Sequence, residues 1–199
     1  MGINDAIKFE IWRNLILSEK SVFNWPAWNR APMFRESRKN ATEAGRLPFV
    51  SDIAARLEML VTLADANDVA IEGVRVRLVA WQNRPLEDVT ATFEYFDLVR
   101  WVCISRIDFL PLSPHPNKFW RKFGLEPEIN GSHIHTCEDN IKIGNEAFAP
   151  YGNLPNAIPL DKEPQSFKDI SQSIGEFFNI TGFHAVPAPE WNWSLQYDR

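Results

Sequence analysis

The sequence predicts an α+β fold: a single domain over residues 1–199, with an antiparallel sheet of four to five strands and about three helices packed on one side. Three observations carry this. Apolar residues recur at helical spacing in 4–18, 51–65 and 167–180. They alternate with polar ones, or cluster as β-branched and aromatic residues, in 69–81, 88–97, 99–110 and 132–137. The gaps between the first three of these strands are too short for helical crossovers, so neighbours should pair antiparallel. The composition, 45% hydrophobic and 24% charged over 199 residues, provides for a sizeable core.

The first helix is expected over 4–18, capped by Asn4, with Ile3, Ile7, Ile11 and Leu15 as its stripe and Trp12 and Ile16 widening it. Trp25-Pro26 ends that pattern. Residues 24–49 contain Pro26, Pro32, Gly45 and Pro48 without a clean period and are expected to form a long loop. Ser51 opens the second predicted helix, whose face is Ile53, Leu57, Leu60, Val61 and Ala64. In 69–81, Val74, Val76, Leu78 and Ala80 alternate with Arg75 and Arg77, giving a half-buried strand with a basic outer face. Asn83-Arg84-Pro85 turns the chain into strand 88–97, and strand 99–110 follows until Pro111.

A short helix is expected within 117–124. Asn130-Gly131 then marks a turn into a return strand over 132–137. Residues 145–165, rich in Pro, Gly and Asn, read as surface loop. Ser166, with Asp169 three residues on, caps the last helix, which buries Ile170, Ile174, Phe177 and Phe178 and stops near Gly182. The tail over 186–199 carries Trp191 and Trp193.

The net charge of −5 and pI near 5.4 argue against a nucleic-acid partner held by bulk charge, although Arg30, Arg35, Arg38, Lys39 and Arg46 cluster locally. No apolar run approaches the roughly 20 residues that span a bilayer, so no membrane association is expected. The first residues lack a basic segment followed by an apolar run, so no secretory signal is expected and the cytoplasm is the expected location. In that setting Cys103 and Cys137 are not expected to form a disulfide. P-loop, dinucleotide-binding, CxxC, HExxH and GxSxG motifs are all missing.

The stretch Gly131–Asn140, GSHIHTCEDN, holds the one candidate site. On a strand, His133, His135 and Cys137 point the same way, presenting two imidazoles and a thiol that suit zinc, iron or copper. Glu138, Asp139 and His115 are the nominees for a further ligand, with Asn140 a weaker one. The competing reading is polar filling of an exposed sheet face, with Cys137 as a small buried hydrophobe. A metal-free possibility uses the neighbouring strand. Arg106 and Asp108 share a face of 99–110, and pairing with 132–137 would bring both to His133 and His135. Such a set supplies a general acid or base and an anion-holding guanidinium, suited to phosphodiester cleavage.

Two functions follow as expectations. The first is a small cytosolic binding or regulatory protein, of the immunity, inhibitor or accessory type, which contacts a protein partner through Trp191 and Trp193 and needs no cofactor. The second is a hydrolase centred on His133 and His135, either metal-free or assisted by zinc or another divalent transition metal.

Overall fold

The computed structural model describes residues 3–31, 56–150 and 153–189. The chain starts as helix α1 (Ile3–Leu17), followed by short strands β1 (Lys20–Val22) and β2 (Asn29–Arg30). Four long strands come next: β3 (Arg56–Ala64), β4 (Ala70–Trp81), β5 (Val89–Phe96) and β6 (Trp101–Phe109). After them run β7 (His115–Pro116), α2 (Trp120–Phe123), β8 (Glu128–Ile129), β9 (His133–His135), α3 (Cys137–Ile141), β10 (Ile158–Pro159), α4 (Phe167–Phe178) and β11 (Ile180–Thr181).

The antiparallel meander expected for 69–110 is present as β4–β5–β6, and β3 adds to it on the far side of β4. The sheet is larger than the four to five strands expected. Among the described residues it has nine, in the order β10-β9-β6-β5-β4-β3-β1-β11, with β2 also paired to β3. All its pairings are antiparallel except that of β1 with β11. Strands β7 and β8 form a separate pair.

The helix predicted over 51–65 is, across its described part, strand β3. The apolar run LEMLVTLA carries both periods at once. Helical spacing selects Leu57, Leu60, Val61 and Ala64, but the buried residues are Leu57, Met59, Val61 and Leu63, alternating as a strand requires, with Ala64 buried at the strand's end, and Leu60 faces solvent. Unpaired edges of β4 decide the matter, since β3 satisfies them along nearly its full length. Residues 51–55 and most of the expected 24–49 loop lie outside the described residues; of that loop, Asn29 and Arg30 pair with β3.

Helix α1 forms where expected, and the expected Trp12, Leu15 and Ile16 pack in or against the core, but two of the stripe's isoleucines do not. Ile7 and Ile11 are 54% and 45% exposed, whereas Phe9 and Trp12 are buried and Ile16 packs against the core. Aromatic packing overrides the isoleucine stripe: Trp12 meets Phe9, Tyr95 and Phe148 at centroid distances of 5.6, 6.3 and 4.8 Å. Helix α4 covers the same sheet face, with Phe178 against Phe93 at 5.4 Å, because residues 93 and 95 of β5 point one way. Ser166 caps α4 as expected, accepting from the Asp169 amide. The helix ends earlier than Gly182, at Asn179, whose left-handed backbone (φ 52°) closes the last turn and whose side chain donates to Leu17 O.

Lys20 joins these layers. It is buried, and its ammonium donates to the carbonyls of Leu15, Ile16 and Ser18 at the C-terminal end of α1. Burial lowers its pKa to about 8, so it stays protonated at neutral pH and keeps all three bonds.

Trp12→Ala is expected to cost about 3–5 kcal/mol through the cavity it leaves, whereas Ile7→Ala and Ile11→Ala stay within about 0.5 kcal/mol. Urea unfolding midpoints check this directly. Equal losses at the three positions would show that α1 is turned the other way.

Candidate metal centre

Strands β6 and β9 pair so that Arg106 lies opposite His135, Ile107 opposite Ile134, and Asp108 opposite His133. Paired residues share a face, so both histidines stand beside the Arg and the Asp while the two isoleucines face the other way. The convergence that sequence alone made conditional on this pairing is therefore present. His115, on β7, comes from outside the sheet. Its ring centroid is 5.0 Å from that of His133 and 4.7 Å from that of His135. One ligand atom from each of the three imidazoles lies within 4.8 Å of the others, and the cluster can hold a metal ion.

The backbone decides how each ring is protonated. A carbonyl oxygen only accepts, so the nitrogen facing it must carry the hydrogen. His135 Nδ1 donates to Leu154 O at 2.6 Å, His133 Nδ1 to Gly131 O at 2.9 Å, and His115 Nε2 to Pro155 O at 3.3 Å. In the neutral rings the lone pairs are then on Nε2 of His133, Nε2 of His135 and Nδ1 of His115. Histidines that ligate metals commonly fix their other nitrogen in this way.

Asp108 lies beside two of the three rings. Its Oδ2 lies 3.3 Å from His133 Nε2 and 3.2 Å from His135 Nε2, while Oδ1 accepts from the Thr90 hydroxyl at 2.8 Å. Two donors each about 2.1 Å from one ion at a tetrahedral angle stand about 3.4 Å apart, which matches both separations. Arg106 supplies the positive charge. Its Nε lies 2.8 Å from Asp108 Oδ2, Nη2 donates to His135 Nε2 at 2.7 Å, and Nη1 to Asn153 Oδ1 at 2.5 Å.

Burial sets the protonation states. His135 is fully buried, and burial, helped by Arg106, pulls its pKa down to about 4, so it is neutral at physiological pH. Burial and the neighbouring His133 likewise lower His115. Burial alone would raise Asp108, but the charge of Arg106 favours its ionised form, and the carboxyl is held well below the usual carboxylate range. Neutral imidazoles and an ionised carboxylate are the forms that bind metals.

The other nominees sit elsewhere. The strand expected over 132–137 stops at His135. Thr136 caps α3, accepting from the Asp139 amide at 3.0 Å, and this turns Cys137 out of the row. Cys137 belongs to the hydrophobic core, where burial raises its thiol pKa to about 12. Glu138 is exposed beside Arg13 at 3.6 Å, and Asp139 pairs with Lys142 at 2.6 Å. Among the described residues the three histidines are the grouping; the thiol and Glu138 are not part of it. Trp191 and Trp193 lie outside the described residues.

Sequence reasoning missed the residues that hold the carbonyls in place. Buried Asn140 donates to Thr136 O and Asn156 O, both at 2.9 Å, and accepts from the Asn156 amide at 3.0 Å. Asn156 donates back to Asp139 O. Asn117 donates to Ala157 O and accepts from its amide at 2.7 Å. These contacts clamp residues 156–157, next to the Leu154 and Pro155 carbonyls that His135 and His115 use. Glu163 secures Gly131 on the other side, accepting from the amide and hydroxyl of Ser132. At Gly131 the backbone φ of 93° strains any residue with a side chain, and a Cβ would also displace Glu163 Oε1. A lone buried asparagine gives no periodic signal, which is why none of this was legible in the sequence.

No family model, curated protein or solved structure matches this chain.

In the metal-free protein, His135 titrates near 4 folded and near 6.5 unfolded, and His115 shifts in the same direction. The unfolded chain therefore takes up protons first as pH falls. Stability should drop between about pH 6.5 and 4, with His135 contributing on the order of 3 kcal/mol. Asp108 adds a further loss only as pH falls through its unfolded value of 3.8. Urea titrations between pH 7.5 and 4.5 test this. A flat profile across that range would mean that His135 is not buried in neutral form.

Proposed function

We propose that the protein is a metal-assisted hydrolase acting on phosphodiesters or related phosphate esters. One observation carries the reading: His115, His133 and His135 each bring a ligand nitrogen within 4.8 Å of the others, with the Asp108 carboxylate beside His133 and His135. His115, His133 and His135 would hold a divalent transition metal, with Asp108 as the oxygen donor. Such an ion polarises a phosphoryl oxygen and lowers the pKa of a bound water. His133 and His135 are closed off from solvent, whereas Arg106, Asp108 and His115 keep some exposure, so that side gives a substrate its approach. Arg106 at this mouth is what favours an anionic substrate over a neutral one, because its planar fork matches phosphate oxygens.

The expectation of a binding or regulatory protein makes the opposite forecast, with Trp191 and Trp193 essential and the histidines dispensable. The discriminating experiment strips the protein of metal, reloads it with zinc, manganese or cobalt, and measures cleavage of bis(p-nitrophenyl) phosphate. Metal-dependent turnover that falls to background in a His133→Ala/His135→Ala double variant is expected. Turnover absent with every metal, together with a partner complex that survives the double variant, would overturn the hydrolase in favour of the interaction protein.

A further inference from the structure

Arg106 occupies the ligand positions of the proposed metal. Its Nη2 donates to His135 Nε2 at 2.7 Å, whereas Nε lies 2.8 Å from Asp108 Oδ2 as an ion pair and is buried without a hydrogen-bond partner. These two nitrogens form one edge of the planar guanidinium, and their hydrogens point the same way. The acceptor of Nη2 and the carboxylate oxygen beside Nε are both atoms an ion would need. Only Nη1, held by Asn153 Oδ1, has a partner outside the ligand set.

We infer that Arg106 changes partners when a metal ion enters: its Nε/Nη2 edge gives up Asp108 and His135 and takes a phosphate-type oxyanion that bridges the guanidinium and the ion. This inference rests on the metal-binding reading above. Two physical reasons support it. Nε–H is buried without an acceptor already, and Nη2 loses its own once His135 turns to an ion, so a bidentate oxyanion satisfies both at once. Charge points the same way. Arg106 and Asp108 cancel each other, so a divalent ion leaves an excess of positive charge that an anion neutralises. Asn153 keeps the guanidinium from swinging away, since its contact is on the far edge.

Metal and anion binding are then coupled, and by reciprocity each tightens the other by the same factor. The test measures the Co²⁺ dissociation constant from visible absorption, with free metal set by a metal buffer. Inorganic phosphate is compared with chloride at matched ionic strength. In the unaltered protein phosphate should tighten Co²⁺ by about fivefold or more. Arg106→Gln should abolish this coupling and bind Co²⁺ more tightly than the unaltered protein when phosphate is absent, because no donor has to leave. Arg106→Lys, a cation without the fork, should also lose most of the coupling.

Co²⁺ binding in the unaltered protein with no effect of phosphate would overturn this inference and leave the metal site standing. Coupling that persists in both variants would overturn it as well. Failure of the unaltered protein to bind Co²⁺ would overturn both. The linkage in the unaltered protein decides the matter even if a variant misfolds.

Discussion

The register of β6 against β9 places Arg106 opposite His135 and Asp108 opposite His133. Side chains alternate along a strand, so a slip of one residue would send both histidines to the apolar face and bring Ile134 into their place. The register is fixed from both directions. On the core side Ile107 is fully buried opposite the partly buried Ile134. Two hydroxyls hold the same alignment: Ser105 donates to His135 O, and Ser132 accepts from the Leu110 amide. Hydrophobic burial and polar pairing agree on one alignment, so a strand of only three residues can carry the site.

A second layer turns position into orientation. Backbone carbonyls at Gly131, Leu154 and Pro155 hold the imidazole N–H groups outward, and buried Asn117, Asn140 and Asn156 hold the chain that presents two of them. Each buried amide would cost about 1–3 kcal/mol if left unpaired, so the network is stable only when nearly complete. The segment bearing Leu154 also adopts unusual backbone: Asn153 and Leu154 both have positive φ, at 54° and 46°. Left-handed backbone at a leucine is rare, and here it coincides with the residues that contact Arg106 and His135.

Much of the sheet was legible because alternation is a strong signal where one face is buried. Residues 69–110 gave their strands, their pairing and even the shared face of Arg106 and Asp108. His115 was legible only as a nominee, since nothing in its local sequence says that β7 folds back over β9. The errors have physical causes. LEMLVTLA satisfies two periods, and sheet edges chose between them. In α1, the isoleucines matched a helical stripe, but the larger Phe9 and Trp12 filled the core. Cys137 continued the row His133, His135 only while the strand was assumed to continue, and the Thr136 cap ended it. A capping pair of Thr136 and Asp139 stands in the sequence, so that error was avoidable. The clamp of asparagines was not legible, because its partners are backbone atoms 16 and 40 residues away.

The claim on which site, chemistry and coupling all depend is that the three histidines turn their lone pairs inward. Long-range proton–nitrogen correlation spectra of the nitrogen-15-labelled protein, recorded before and after one equivalent of zinc, test it most directly. His133 and His135 are expected to carry their hydrogen on Nδ1 and His115 on Nε2, and the three bare nitrogens should shift together when zinc is added. Hydrogen on Nε2 of both His133 and His135, unchanged by zinc, would contradict the metal centre.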